Sequence, residues 1–286
     1  MTRDRSGPEF GLAPLMNVNR IDSVFADLRA SGRKALVPFL TSGDPDLGTT
    51  AALVRAVVAR GASLVELGVP YSDPIADGPV ISASYNRALS KGFKLAGLFP
   101  MIAGLRAGPD AVTAPLVTMV SYAIVHRHGL SSYLKEAAEA GVDGLIVPDL
   151  PVEEAGELSS LMKRLDLRLI QLVTPVTPRE RAKRIIETTT GFLYYVAVAG
   201  ITGERSSVPP ELAENVAWIK SQTDRPVCVG FGISGPEQVR ALAPLADGLI
   251  VGSALVRRIA EQEGDPAKAV EAASRFVAEL AAALQV

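Results

Sequence analysis

The sequence predicts a single α/β domain folded as a (β/α)8 TIM barrel with extra helices, and three observations predict it. From Arg33 onward, short apolar runs rich in β-branched residues alternate with longer stretches of helical period. Eight such runs occur, at residues 35–39, 64–68, 115–120, 144–147, 169–173, 192–196, 226–230 and 248–251. They fill ~250 residues, the length at which this number of right-handed parallel crossovers closes into a barrel. The alternative is a doubly wound open sheet. That fold calls for a glycine-rich dinucleotide fingerprint after its first strand, and Phe39-Leu40-Thr41-Ser42-Gly43-Asp44-Pro45 is not one.

The helices between the strands carry their own punctuation. The stretch 49–60 ends at Gly61 and Leu130–Ala140 ends at Gly141, both suited to closing a helix. Pro178, Pro209 and Pro236 suit first-turn positions, and a further helix begins at Pro79. Residues 95–107 form an additional helix before the third strand, and the alanine-rich stretch from Pro266 to the end closes the bundle. Residues 1–15 mix charges, Gly and Pro without periodicity and are read as a tag or disordered extension, leaving 16–286 as the catalytic domain.

Composition narrows the function classes. With 286 residues, 48% hydrophobic and 21% charged, the chain can bury a sizeable core. A net charge of -2 lacks the basic patch that nucleic-acid binding needs. Cys228 is the only cysteine and His126 and His128 the only histidines, so the usual zinc sites lack ligands and no metal or disulfide is expected. The two histidines read as surface or satisfied residues in a loop-like context. No apolar run approaches the ~18 residues of a membrane span, and no secretory apolar region opens the chain. A cytoplasmic location is the expectation.

The chemistry concentrates where barrel strands end. In Leu64-Val65-Glu66-Leu67-Gly68 a carboxylate interrupts a buried strand, on the same face as Leu64 and Gly68. Burial without a partner forces such a group's pKa upward, which suits a general acid or base; a salt bridge to a neighbouring strand is the structural alternative. The following loop, Val69-Pro70-Tyr71-Ser72-Asp73-Pro74-Ile75-Ala76-Asp77-Gly78-Pro79, is dense in turn formers. Asp73 could serve as a turn residue and Asp77 as a helix cap, but this loop belongs on the face where barrel enzymes do their chemistry. Glycines in Gly200-Ile201-Thr202-Gly203, Gly230-Phe231-Gly232-Ile233-Ser234 and Gly252-Ser253-Ala254 let backbone N–H groups approach a phosphate, with Ser253 at a helix start.

Taken together, these stretches resemble the tryptophan synthase alpha subunit family. The hallmark is the run from Leu64 to Pro79, supported by Pro38 to Pro45, Pro148-Asp149-Leu150-Pro151-Val152-Glu153-Glu154 and the three glycine loops, in order over about residues 21–259. The resemblance implies retro-aldol cleavage of indole-3-glycerol phosphate to indole and glyceraldehyde 3-phosphate without a cofactor. It implies Glu66 as the acid-base group and Asp77 as the carboxylate that holds the indole N–H. It also implies that Phe39, Thr41 and Tyr194 line the indole pocket and that Thr202 closes over the site and meets Asp77. Phosphate would rest on N–H groups around Gly203, Gly232, Gly252 and Ser253, and Gly230 and Phe231 would also bind substrate. The partner would be a beta subunit carrying pyridoxal phosphate, in an alpha2beta2 assembly.

The chain departs from the family pattern in Val120-Ser121-Tyr122-Ala123-Ile124-Val125-His126, which lacks an Asn-Pro pair, and at Ala197-Val198 before the sixth-strand loop. The first departure bears on the partner-facing region. Two other readings stand beside the main one: a stand-alone lyase that releases free indole, and a regulatory barrel that binds the phosphate ligand without cleaving it.

Overall fold

The computed structural model describes residues 18–73, 78–197 and 209–285. Among them are nine parallel strand segments in the order β5-β4-β3-β2-β1-β9-β8-β7-β6. These are β1 (Ala35–Thr41), β2 (Val65–Gly68), β3 (Leu116–Met119), β4 (Gly144–Ile146), β5 (Arg168–Ile170), β6 (Leu172–Val173), β7 (Leu193–Val196), β8 (Val227–Gly230) and β9 (Gly248–Val251). The apparent ninth strand is the fifth predicted one, interrupted at Gln171: β5 pairs with β4 and β6 pairs with β7. Tyr194 N donates to Gln171 O at 3.1 Å, so the interruption is bonded into the ring rather than leaving an edge. Each of the eight predicted strands is therefore present.

Alternation along the strands sorts the residues into two cores. Leu36, Leu40, Val65, Leu67, Leu193, Tyr195, Val227 and Val229 face outward onto the helices. Ala35, Val37, Leu64, Val117, Ile146, Ile170, Phe192, Cys228 and Ile250 face inward and fill the barrel. Its lower end is stoppered by α1 (Arg20–Ala30), whose Ile21, Phe25 and Leu28 join that inner cluster. Asn19 caps this helix, accepting from Ile21 N at 2.9 Å while donating to Asp143 O at 3.0 Å and Asp166 O at 2.6 Å.

The helices follow their punctuation with a few shifts. The stretch predicted as 49–60 is α2 (Leu47–Ala59), capped by Asp46. The helix from Pro79 is α3 (Pro79–Ser90), the one predicted at 95–107 is α4 (Leu95–Arg106), and Leu130–Ala140 is α6, closed by left-handed Gly141. Glu153 and Glu154 precede α7 (Gly156–Arg164). Pro236 does open α10 (Pro236–Leu242), but Pro178 and Pro209 sit at the N-caps of α8 (Arg179–Thr188) and α9 (Pro210–Ser221). Ser253 opens α11 (Ser253–Ala260), and α12 (Pro266–Ala283) packs across α2 to close the bundle.

The histidine segment is a correction. It forms α5 (Tyr122–His128), so His126 and His128 lie on a helix, not in a loop. There, positions two apart diverge around the axis. His128 Nε2 meets Glu136 Oε1 at 2.9 Å on the surface. Ser121 caps α5, and Asp149 holds the cap by accepting from Ser121 Oγ at 2.6 Å and Tyr122 N at 2.8 Å. Among the described residues, no helix is long and apolar enough to cross a membrane.

Candidate active site

The inward face of β2 sets the centre of the site. Leu64 belongs to the inner core while Val65 and Leu67 belong to the outer one, so Glu66 points into the barrel. Its side chain is completely buried, and neither carboxyl oxygen has a hydrogen-bond partner among the described residues. A charge in that position has lost its water and gained nothing in return. Burial therefore pushes the Glu66 carboxyl from its ordinary 4.5 up to about 8, which keeps it protonated at neutral pH. Burial also pushes the thiol of Cys228 on β8 well above its ordinary value, and the charge of Glu66 adds to that shift. The salt-bridge reading of Glu66 has no cation to rest on among the described residues.

The wall beside Glu66 is built by Phe39, at the register position paired with it on β1. Phe39 packs with Ile81, Tyr85 and Val256 in a small cluster separate from the two cores. Its ring lies directly over Gly68, where a Cβ would stand 2.3 Å from Phe39 Cζ and 2.9 Å from the Tyr85 hydroxyl. No side chain fits at 68 without displacing an aromatic ring. Thr41 tops the same strand, but its hydroxyl is engaged with Ser84 Oγ at 2.6 Å and serves as a pin between β1 and α3. A second pin is the Arg87 guanidinium on Asp44, with Nη2 2.6 Å and Nε 3.1 Å from the two carboxylate oxygens. Helix α3 is thus held at two levels to the chain that leaves β1.

Opposite stands Tyr194 on β7, an inward position above Phe192. Gly230 makes room for it, since a Cβ there would lie 2.9 Å from the Tyr194 ring and hydroxyl. The glycine predicted to receive phosphate is thus one that an aromatic side chain needs small. Phe231 is half-buried against the outer core and Gly232 has φ of 54°, a backbone state that favours glycine. The helix after this loop, α10, satisfies its own start: Gln238 Oε1 accepts from Ser234 N at 2.6 Å and Gly235 N at 3.2 Å. Helix α11 also has a glycine N-cap, Gly252, but no side chain among the described residues reaches back to its start, and Ser253 occupies its first turn. Its N-terminal N–H groups and dipole make that end the better anion cradle of the two.

Of the residues singled out in the sequence, Phe39, Thr41, Glu66 and Tyr194 lie on β1, β2 and β7, and Gly230, Phe231, Gly232, Gly252 and Ser253 lie at the ends of β8 and β9 or in the segments that follow. Asp77, Thr202 and Gly203 lie outside the described residues. Sequence reasoning missed Tyr85 and Ser84. The signal for them was helical spacing, since Ile81, Ser84, Tyr85 and Ala88 form the buried face of α3.

Comparison with known proteins gives the family. The family model for the tryptophan synthase alpha chain matches residues 25–285. A tryptophan synthase alpha chain from Rhodopirellula baltica is 55% identical over 241 residues, covering 84% of this chain and 87% of its own. One from Caldanaerobacter subterraneus is 46% identical over 244 residues, covering 85% and 92%. Among solved structures, the tryptophan synthase alpha subunit of Legionella pneumophila superposes with a TM-score of 0.85 at 35% identity, over 93% of this chain and 98% of that one. A tryptophan synthase structure from M. tuberculosis superposes with a TM-score of 0.83 at 31% identity, over 94% of this chain and all of that one (100%). The chain belongs to the tryptophan synthase alpha chain family, the lyases of tryptophan biosynthesis that cleave indole-3-glycerol phosphate to indole and glyceraldehyde 3-phosphate.

Proposed function

We infer that the barrel mouth carries out this cleavage with Glu66 as its single acid-base group. The observation that carries the reading is a fully buried carboxyl beside Phe39 with no hydrogen-bond partner among the described residues, which burial pushes up to about 8. At neutral pH it has a proton to give, which an exposed glutamate would not. Delivered to ring carbon C3, that proton turns the indole into a cation. The resulting carboxylate takes the proton from the side-chain hydroxyl next to the ring. The bond between C3 and the side chain breaks, its electron pair returns to the ring, and the hydroxyl carbon leaves as an aldehyde. Glu66 ends protonated, so no other proton donor or acceptor is required.

Asp77 is assigned the indole N–H, where its charge stabilises the cation during the transfer. Phe39, Thr41 and Tyr194 line the indole pocket, and Thr202 closes over it. The phosphate takes backbone N–H groups around Gly203, Gly232, Gly252 and Ser253, with the α11 start as its main anchor, and Gly230 and Phe231 complete the substrate site. This chain needs no cofactor of its own. Its partner is a tryptophan synthase beta subunit that carries pyridoxal phosphate, in an alpha2beta2 assembly in the cytoplasm. Solved relatives named as tryptophan synthase, including an aminoacrylate-bound form from M. tuberculosis, support such a partner.

A Glu66→Gln variant tests the assignment. It should bind indole-3-glycerol phosphate and lose roughly 10²- to 10⁴-fold or more in indole release. Release at the wild-type rate would remove Glu66 from the mechanism. Adding a beta subunit should stimulate the wild-type chain, and absence of stimulation in both directions would favour a solitary lyase.

A further inference from the structure

Tyr85 reaches the barrel mouth from α3, and its hydroxyl arrives beside the inward face of Gly68. A Cβ at Gly68 would stand 2.9 Å from that oxygen, and by alternation it would point to the same side as Glu66. The hydroxyl therefore lies one inward position above the acid-base residue, with the two Cα atoms of β2 roughly 6.6 Å apart along the strand. Tyr85 as a whole is 3% exposed and packs with Phe39, Ile81 and Val256.

Phe39 connects this point to the anion cradle. A Cβ at Gly252 would lie 3.7 Å from Phe39 Cβ, while the far end of the same ring, Cζ, covers Gly68. One aromatic ring thus spans from the start of α11 to the Tyr85 hydroxyl. A substrate with its phosphate at Gly252 and its ring carbon over Glu66 would lay its three-carbon chain along Phe39, whose far end meets that hydroxyl. The oxygen adds polarity at the one edge of the ring that meets the site.

We propose that Tyr85 is a further substrate-binding residue, whose hydroxyl hydrogen-bonds the glyceryl chain and so holds the scissile bond over Glu66. This rests on the reading of the site given above. The bond discriminates substrates: a ligand with the indole ring and the phosphate but no side-chain hydroxyls gains nothing from it.

Binding in the Glu66→Gln background, where substrate is not consumed, tests the proposal by calorimetry with two ligands. One is indole-3-glycerol phosphate and the other is indole-3-propanol phosphate, which lacks both glyceryl hydroxyls. Adding Tyr85→Phe should weaken the first by about 5- to 10-fold and leave the second within about twofold. Equal weakening of both ligands, the result of a merely structural role, would overturn the proposal, as would no change in either. Full activity of Glu66→Gln alone would instead refute the site reading, so the two failures are distinguishable.

Discussion

Replacing Glu66 by glutamine should stabilise the protein at neutral and alkaline pH while disabling it. An ordinary glutamate at 4.5 is ionised in the unfolded chain at pH 7, whereas burial holds the folded-state group near 8. Between those values the folded protein binds the extra proton, so stability falls as pH rises. The contribution is fully present below about 4.5 and is lost progressively as pH passes through the folded value. At about 1.4 kcal/mol per unit, the wild type gives up roughly 3 kcal/mol by pH 7 and about 5 kcal/mol above pH 8. Glutamine has nearly the same shape and does not ionise, so its variant escapes this loss. Urea unfolding of both proteins from pH 5 to pH 9 reads the difference directly. The curves should coincide near pH 5 and separate by a few kcal/mol by pH 8, the variant above. Parallel curves across the range would refute the argument that Glu66 is buried without a compensating partner.

Two further substitutions separate the site from the scaffold. Gly68→Ala puts a methyl 2.3 Å from Phe39 Cζ and 2.9 Å from the Tyr85 hydroxyl, both beside the proposed site. It should cost about 1–3 kcal/mol in urea unfolding and depress indole release more than tenfold; a fully active variant would mean that the ring moves freely. Asn19→Ala removes the α1 cap and two hydrogen bonds to carbonyls at the lower end of the barrel, far from the mouth. It should cost about 1–3 kcal/mol with kcat unchanged, and a matching fall in kcat would show that the lower stopper couples to the site.

The strands were legible because a closed parallel barrel buries both faces, which leaves short runs rich in β-branched residues between longer helical stretches. Even Glu66 stood out for that reason, as a charge in such a run. Interruption of the fifth strand at Gln171 was not legible, since its neighbours Ile170 and Leu172 continue the apolar pattern. Helix α1 carried a readable signature, an Asn19 cap followed by Ile21, Phe25 and Leu28 at helical spacing, but its role as the lower stopper is a tertiary fact. Helix α5 is hard to read in the sequence, where the histidines stand in a loop-like context, because it is one short stretch of seven residues tied down by Asp149 from 28 residues away. The glycines show the limit most clearly. Gly230 and Gly252 look alike in sequence, yet one is small to admit Tyr194 and the other opens a helix. Spacing cannot reveal which neighbour a missing Cβ makes room for.

The protonation state of Glu66 is the point on which the chemistry turns, and it can be observed without substrate. Carbon-13 NMR of the protein labelled at glutamate side-chain carboxyls, compared with Glu66→Gln to assign the signal, follows that group through a pH titration. A midpoint near 8 is the result that burial demands. A midpoint between 4 and 5, as for a solvated glutamate, would mean that the group is already ionised at neutral pH and has no proton to deliver to the indole ring.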